Sequence, residues 1–291
     1  MSLGVLAEPF GYEFFIRGLI AAGLAGALCG LLGVFITLRG MSYIGHGLSH
    51  AVLGGAVVSY VMDFNFYIGA GLWGFAAALL IHAITRRRQI GADAAIGIVT
   101  TASFAVGVAL ISHTRRFTKN FEAALFGNVL GVKPEDLLVL AGVTLVTIVI
   151  VFFLYKPLLF VTFDPEVAPT YGVSVNAIDA VFSLMLSAAI IASTQILGVT
   201  MIAAAIVIPA VIARLLTDRF STLLIVSTVV GAVCGFSGIY SSYYLDVSSG
   251  ATVVLFAAML FLVVLAALRL RSMLWARDNA RPSRAMAATL D

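Results

Sequence analysis

Two histidines four positions apart, His46 and His50, lie in the apolar run Ile44-Gly45-His46-Gly47-Leu48-Ser49-His50-Ala51. On an α-helix, positions i and i+4 share a face, so both imidazoles point towards one place. Neutral imidazole is a ligand for zinc, copper, iron and nickel, and two rings at this spacing can serve one ion. Glycines at 45, 47, 54 and 55 permit close backbone approach or local unwinding beside a cavity. The same spacing fits two histidines satisfied by neighbouring helices, and the residues alone leave both readings open. Gly47 stands where the metalloprotease motif HExxH needs glutamate, which argues against an intramembrane protease. Free imidazole titrates at about pH 6.5, and an imidazolium repels a divalent cation, so metal binding by such a pair weakens as pH falls through about 6.

A second segment with chemical content reads Thr162-Phe-Asp-Pro-Glu-Val-Ala-Pro-Thr-Tyr-Gly-Val173. Asp164 is placed to cap a short helix with Pro165 at its first position, and Gly172 is placed to end it. Such a helix between two spans serves equally as a partner's docking element or as a connector. The other ionisable candidates carry plainer expectations. Arg39 needs only the membrane interface, Asp179 suits a helix N-terminus, His82 reads as interfacial and His113 as part of an external loop. Cys29 and Cys234 sit in apolar runs without CxxC spacing and read as small core residues.

The elements that position these residues follow from composition. The chain has 291 residues, 62% hydrophobic and 11% charged, with mean hydropathy +1.10, whereas soluble domains carry about a quarter charged residues. Apolar stretches, each able to cross a hydrocarbon core with about 20 residues, recur from end to end. The fold class is an all-α polytopic membrane protein with about nine transmembrane helices, eight to ten being the range. The spans run approximately 14–38, 42–62, 66–85, 94–112, 137–155, 176–195, 197–216, 222–245 and 249–270, with room for a short extra helix within 113–136. Pro209 is expected to bend the seventh span. Residues 1–271 form the membrane domain, and 272–291 a polar, solvated and disordered tail. A soluble enzyme, a disulfide-stapled secreted domain and a nucleic-acid binder are excluded. No GxxxxGK[ST] occurs, so any ATP used is hydrolysed on another chain. Of the 17 basic residues, 12 fall on one side of the spans, which places the C-terminus in the cytoplasm and, with nine spans, the N-terminus outside.

With these residues in view, the chain resembles the permease subunits of the bacterial zinc/manganese/iron ABC importers, from about Gly18 to Leu268. The anchors are Arg39-Gly-Met-Ser-Tyr-Ile-Gly-His-Gly-Leu-Ser-His50, Asp93-Ala-Ala-Ile-Gly-Ile98, Leu125-Phe-Gly-Asn-Val-Leu130, Phe163-Asp-Pro-Glu-Val-Ala168, Ile206-Val-Ile-Pro-Ala210 and Tyr244-Leu-Asp-Val-Ser-Ser-Gly-Ala-Thr-Val-Val254. The resemblance implies a fold similar to the cobalamin-type importer permease and a homodimer of permeases in the bacterial plasma membrane. It also implies an ATPase dimer below and an extracytoplasmic metal-binding protein above. It carries the role of ATPase docking to Asp164, Pro165, Glu166, Tyr171 and Gly172, and that of ion contact to His46 and His50. No cofactor is held permanently; the transported ion is zinc or manganese, with iron as a third candidate. Many relatives have Asp where this chain has His46. Four neutral imidazoles in a dimer suit zinc better than manganese, so the expectation favours zinc. The alternative is a secondary transporter or channel working alone, which usually needs mid-span carboxylates that this chain nearly lacks. A purely structural scaffold leaves the paired histidines unexplained.

Overall fold

The computed structural model describes residues 7–86, 90–114 and 125–279. Its helices are α1 (Glu13–Leu38), α2 (Ser42–Val61), α3 (Phe66–Arg86), α4 (Ala92–Thr114), α5 (Pro134–Phe153), α6 (Tyr155–Phe163), α7 (Val175–Leu197), α8 (Val199–Leu216), α9 (Phe220–Leu245) and α10 (Ser249–Asn279). All except α6 are long and apolar enough to cross a membrane, making nine such helices among the described residues. They coincide with the nine expected spans. In lipid each backbone N–H must find its acceptor within its own segment, so an apolar run of this length has little choice but helix.

α1 and α2 are the most enclosed of the nine and α10 the least, although α10 has the highest mean hydropathy, 2.9. A helix that is apolar all round and unburied in the bundle faces lipid, as α10 does with Leu255, Met259 and Leu262. α1 runs through the core and makes its most extensive contact with α9. The backbones nearly touch there: a Cβ on Gly26 would lie 2.1 Å from the Gly231 carbonyl oxygen. The Ser227 hydroxyl donates to the Gly30 carbonyl at 2.6 Å across the same contact. Small residues let membrane helices approach closely where lipid gives no hydrophobic drive to pack.

Helix ends alternate between two faces of the bundle. At one, the end of α1, the starts of α2 and α4, and residues of α3, α6 and α7 line a half-open cavity of about 260 Å³. At the other, Phe14, Asn128, Tyr243 and Ser248 help line one of about 380 Å³.

Several expectations change in detail. α5 stops at Phe153 and the chain restarts as α6, an element absent from the sequence reading. Pro157 lacks the N–H that would bond to the Phe153 carbonyl, which weakens the ladder at this point. The link near residues 196–198 is sharp: Gly198 sits at φ 78° and ψ 150°, a region closed to other residues, and separates α7 from α8. α8 continues through Pro209. In 113–136 a 3-10 turn forms at Val129–Gly131, while 115–124 lie outside the described residues. His113 belongs to the last turn of α4 rather than to a loop. α10 extends to Asn279 into the expected tail, and 280–291 lie outside the described residues.

Candidate functional site

The histidines lie in the first half of α2, and the corner before it fixes where they start. Gly40 adopts φ 66°, its N–H bonds to the Thr37 carbonyl, and the Met41 N–H bonds to the Ile36 carbonyl. This pair of bonds is a Schellman cap, which ends α1 and reverses the chain within three residues. α2 begins at Ser42, so His46 and His50 fall on its second and third turns. Their ring centroids are 4.6 Å apart at an interplanar angle of 75°. The Tyr43 ring flanks His46 at 5.5 Å, and Phe104 of α4 meets His50 edge-on at 5.5 Å. Both histidines are half-buried, between the buried Gly45, Gly47 and Leu48 on one side and open space on the other.

Ser49 hydrogen-bonds through its hydroxyl to the His46 carbonyl at 2.7 Å, which keeps that hydroxyl off the rings. The two rings are thus brought together on one strip, as their spacing predicted. Metal–nitrogen bonds of about 2.0–2.1 Å bring both rings within reach of one ion. Among the described residues no third His, Cys, Asp or Glu joins them. One chain therefore offers two nitrogens there, short of the four ligands a closed site uses.

The segment after α6 is built differently from expectation. Asp164 does cap: its Oδ1 accepts from the Val167 N–H at 3.2 Å, and its carbonyl accepts from the Ala168 N–H at 3.1 Å. No α-helix follows, however. A turn leads into a 3-10 helix at Ala168–Tyr171, ended by Gly172 at φ 75°. Pro169 has no N–H to give to the Pro165 carbonyl, so a second α-turn cannot close. The Tyr171 ring stacks on Phe160 of α6 at 5.2 Å and is still 69% exposed, with Phe163 and Val167 also outward. Pro165 and Glu166 are exposed between them.

Sequence reasoning missed the polar group nearest to both segments. Arg39, assigned only to the interface, has a side chain 8% exposed. Its Nη1 donates to Asp179 Oδ1 of α7 at 2.7 Å, and its Nε donates to Thr162 Oγ1 of α6 at 3.1 Å. Its Cζ lies 4.7 Å above the Phe182 ring. Burial pulls the guanidinium below its usual range and Asp179 pulls it back; it stays cationic, as arginine does in proteins. Asp179 thus has a charged partner as well as a place near the start of α7, whose N-cap is Ser174. The available signal was an arginine closing one span and an aspartate inside another at the same membrane face, since a carboxylate there needs a partner. His82 lines the 260 Å³ cavity beside this pair. Cys29 and Cys234 are free and buried.

Residues 11–268 match the ABC 3 transport family. The manganese transport system membrane protein MntC of Halalkalibacterium halodurans is 40% identical over 250 residues, covering 86% of each protein. The chelated iron transport system membrane protein YfeC of Yersinia pestis is 36% identical over 263 residues, covering 89% of this chain and 88% of its own. Among solved structures, PsaBC from Streptococcus pneumoniae in complex with Fab has a chain that superposes with a TM-score of 0.82 at 31% identity. The match covers 90% of this chain and 95% of that one.

Proposed function

The chain belongs to the ABC 3 transport family, and on that premise we propose that it carries a divalent transition-metal ion past His46 and His50 by alternating access. It is a multi-pass inner-membrane permease of an ABC metal importer, a transport subunit and not an enzyme, with ATP hydrolysed on a separate chain. The observation that carries the ion-contact assignment is the pair of rings 4.6 Å apart on one strip of α2. Two nitrogens make a weak, incomplete site, which suits an ion that must leave as readily as it enters. A second copy of the chain brings a second pair, giving four imidazoles around a shared pathway. An extracytoplasmic metal-binding protein delivers the ion. An ATPase dimer docks on the exposed turn formed by Asp164, Pro165, Glu166, Tyr171 and Gly172, on the cytoplasmic face that also holds the C-terminus.

The preference for zinc rests on imidazole chemistry alone, and the relatives above are named for manganese and iron. Competition between zinc, manganese and iron decides it. Uptake is measured for wild type, His46→Ala, His50→Ala and His46→Asp at matched amounts in the membrane. Each alanine variant is expected to lose about tenfold or more, the loss ordinary for even an outer-shell partner of a metal site. His46→Asp is expected to shift uptake towards manganese, since carboxylate is the harder ligand. Three variants that behave like wild type would make the histidines packing residues.

A further inference from the structure

We propose that Arg39 is the joint through which movement of the 164–172 turn reaches the helix that carries His46 and His50. This rests on that turn being the ATPase-docking element. Arg39 closes α1 two residues before Met41, the N-cap of α2, and seven before His46. Its guanidinium reaches in the other direction, to Thr162 on the last turn of α6 and to Asp179 on the second turn of α7. Asp164, two residues beyond Thr162, opens the turn itself. One side chain therefore ties the corner before the histidines to both helices that flank the turn.

The tie is stiff for electrostatic reasons. The Arg39 side chain is 8% exposed, its Nη2 has no hydrogen-bond partner among the described residues, and the flat face rests on Phe182. Separation from Asp179 would leave a buried cation unpaired, which is strongly unfavourable. Arginine's rigid fork also holds direction as well as distance, which a lysine cannot do. Thr162 is itself held, its hydroxyl donating to the Leu158 carbonyl at 2.7 Å. α1, α6 and α7 are thus constrained to shift together at this face.

The opposite side of the joint is open. The 260 Å³ cavity separates it from Ile81, His82 and Thr85 of α3 and from Ala92 and Ile96 of α4. A displacement of the tied group has room in that direction. Ile96 is also the residue on which Gly47 rests, between the two histidines. Movement at the turn consequently changes how the histidine strip sits against α4.

The test uses the full complex of permease, ATPase and binding protein in proteoliposomes, with manganese as the probe. It measures ATPase co-purification, ATP hydrolysis and ions delivered per ATP for Arg39→Lys, Asp179→Asn and Thr162→Val. The ATPase is expected to co-purify and hydrolyse ATP as with wild type. Ions per ATP are expected to fall about tenfold in the first two variants, within the ordinary range for coupling between two sites. Thr162→Val keeps the ion pair and is expected to give a smaller drop, and it carries the test if a charge variant fails to accumulate. Unchanged ions per ATP with the ATPase still bound would overturn the joint alone. ATPase binding indifferent to Tyr171→Ala and Gly172→Ala would overturn the docking assignment and the joint with it.

Discussion

Gly47 lies between the two histidines, and replacing it by alanine should separate α2 from α4 at the level of the paired rings. An added Cβ would sit 2.3 Å from Ile96 Cγ2 and 2.9 Å from Thr100 Cγ2. Carbon atoms settle at about 3.5–4.0 Å, so the shortfall at Ile96 is at least about 1.2 Å. Both obstructing residues are β-branched and stiff at χ1 within a helix, so the helices give before the side chains do. Overpacking of this kind costs about 1–3 kcal/mol, offset by about 0.5–1 kcal/mol for removing a glycine from a helix interior. The net loss of about 0–2.5 kcal/mol leaves a folded protein. The displacement, however, carries both histidines together away from Phe104 of α4, so the pair is misplaced in the pathway it is proposed to line. Manganese and zinc uptake into proteoliposomes should drop about tenfold, equivalent to about 1.4 kcal/mol. Gly45→Ala is the control, because its Cβ meets only Ile206 Cδ1 at 3.4 Å. It should stay within about twofold of wild type, as small substitutions without a clash do. Wild-type uptake by Gly47→Ala, or an equal fall in both variants, would refute the reasoning.

Three further outcomes are expected. Gly198→Ala should prevent a stable fold: strain of about 1–3 kcal/mol at its backbone angles adds to a Cβ placed 2.5 Å from the Gly127 nitrogen and the Leu125 oxygen, read as lost protein in the membrane fraction. Tyr67→Phe should lower the thermal midpoint in detergent, since its hydroxyl donates to Asp136 at 2.5 Å and ties α3 to α5, a charge-assisted bond of about 1.5–3 kcal/mol; an unchanged midpoint would show the tie is idle. Gly172→Ala should weaken ATPase co-purification through the left-handed penalty of about 1–2 kcal/mol, since nothing lies within 4 Å to clash. Gly172→Asn should retain it, because asparagine tolerates that conformation; equal loss in both would point to the side chain rather than the backbone.

What the chain's own order of residues determined is whatever is local. Nine apolar runs became the nine long helices because lipid leaves the backbone no other way to satisfy itself. The histidines share a strip because four residues are about one helical turn. Even the end of the 164–172 turn was legible, since Gly172 takes the left-handed angle expected of it. The interior of that turn was misread because two prolines act together. Asp164 and Pro165 signal a helix start, while Pro169 removes the bond that would continue it.

Tertiary structure alone decided which distant residues meet. Arg39 and Asp179 are 140 positions apart, and no periodicity couples such residues. Their meeting depends on α1 ending at the face where α7 begins and on α6 lying between. The near contact of Gly26 with Gly231 is of the same kind: the GxxxG formed by Gly26 and Gly30 marks a small face, and only packing chooses the helix that fills it. The local rules act through covalent spacing and hydrogen bonds a few residues long. The Arg39–Asp179–Thr162 cluster beside the 164–172 turn arises from which helices stand next to each other, a property of the assembled bundle.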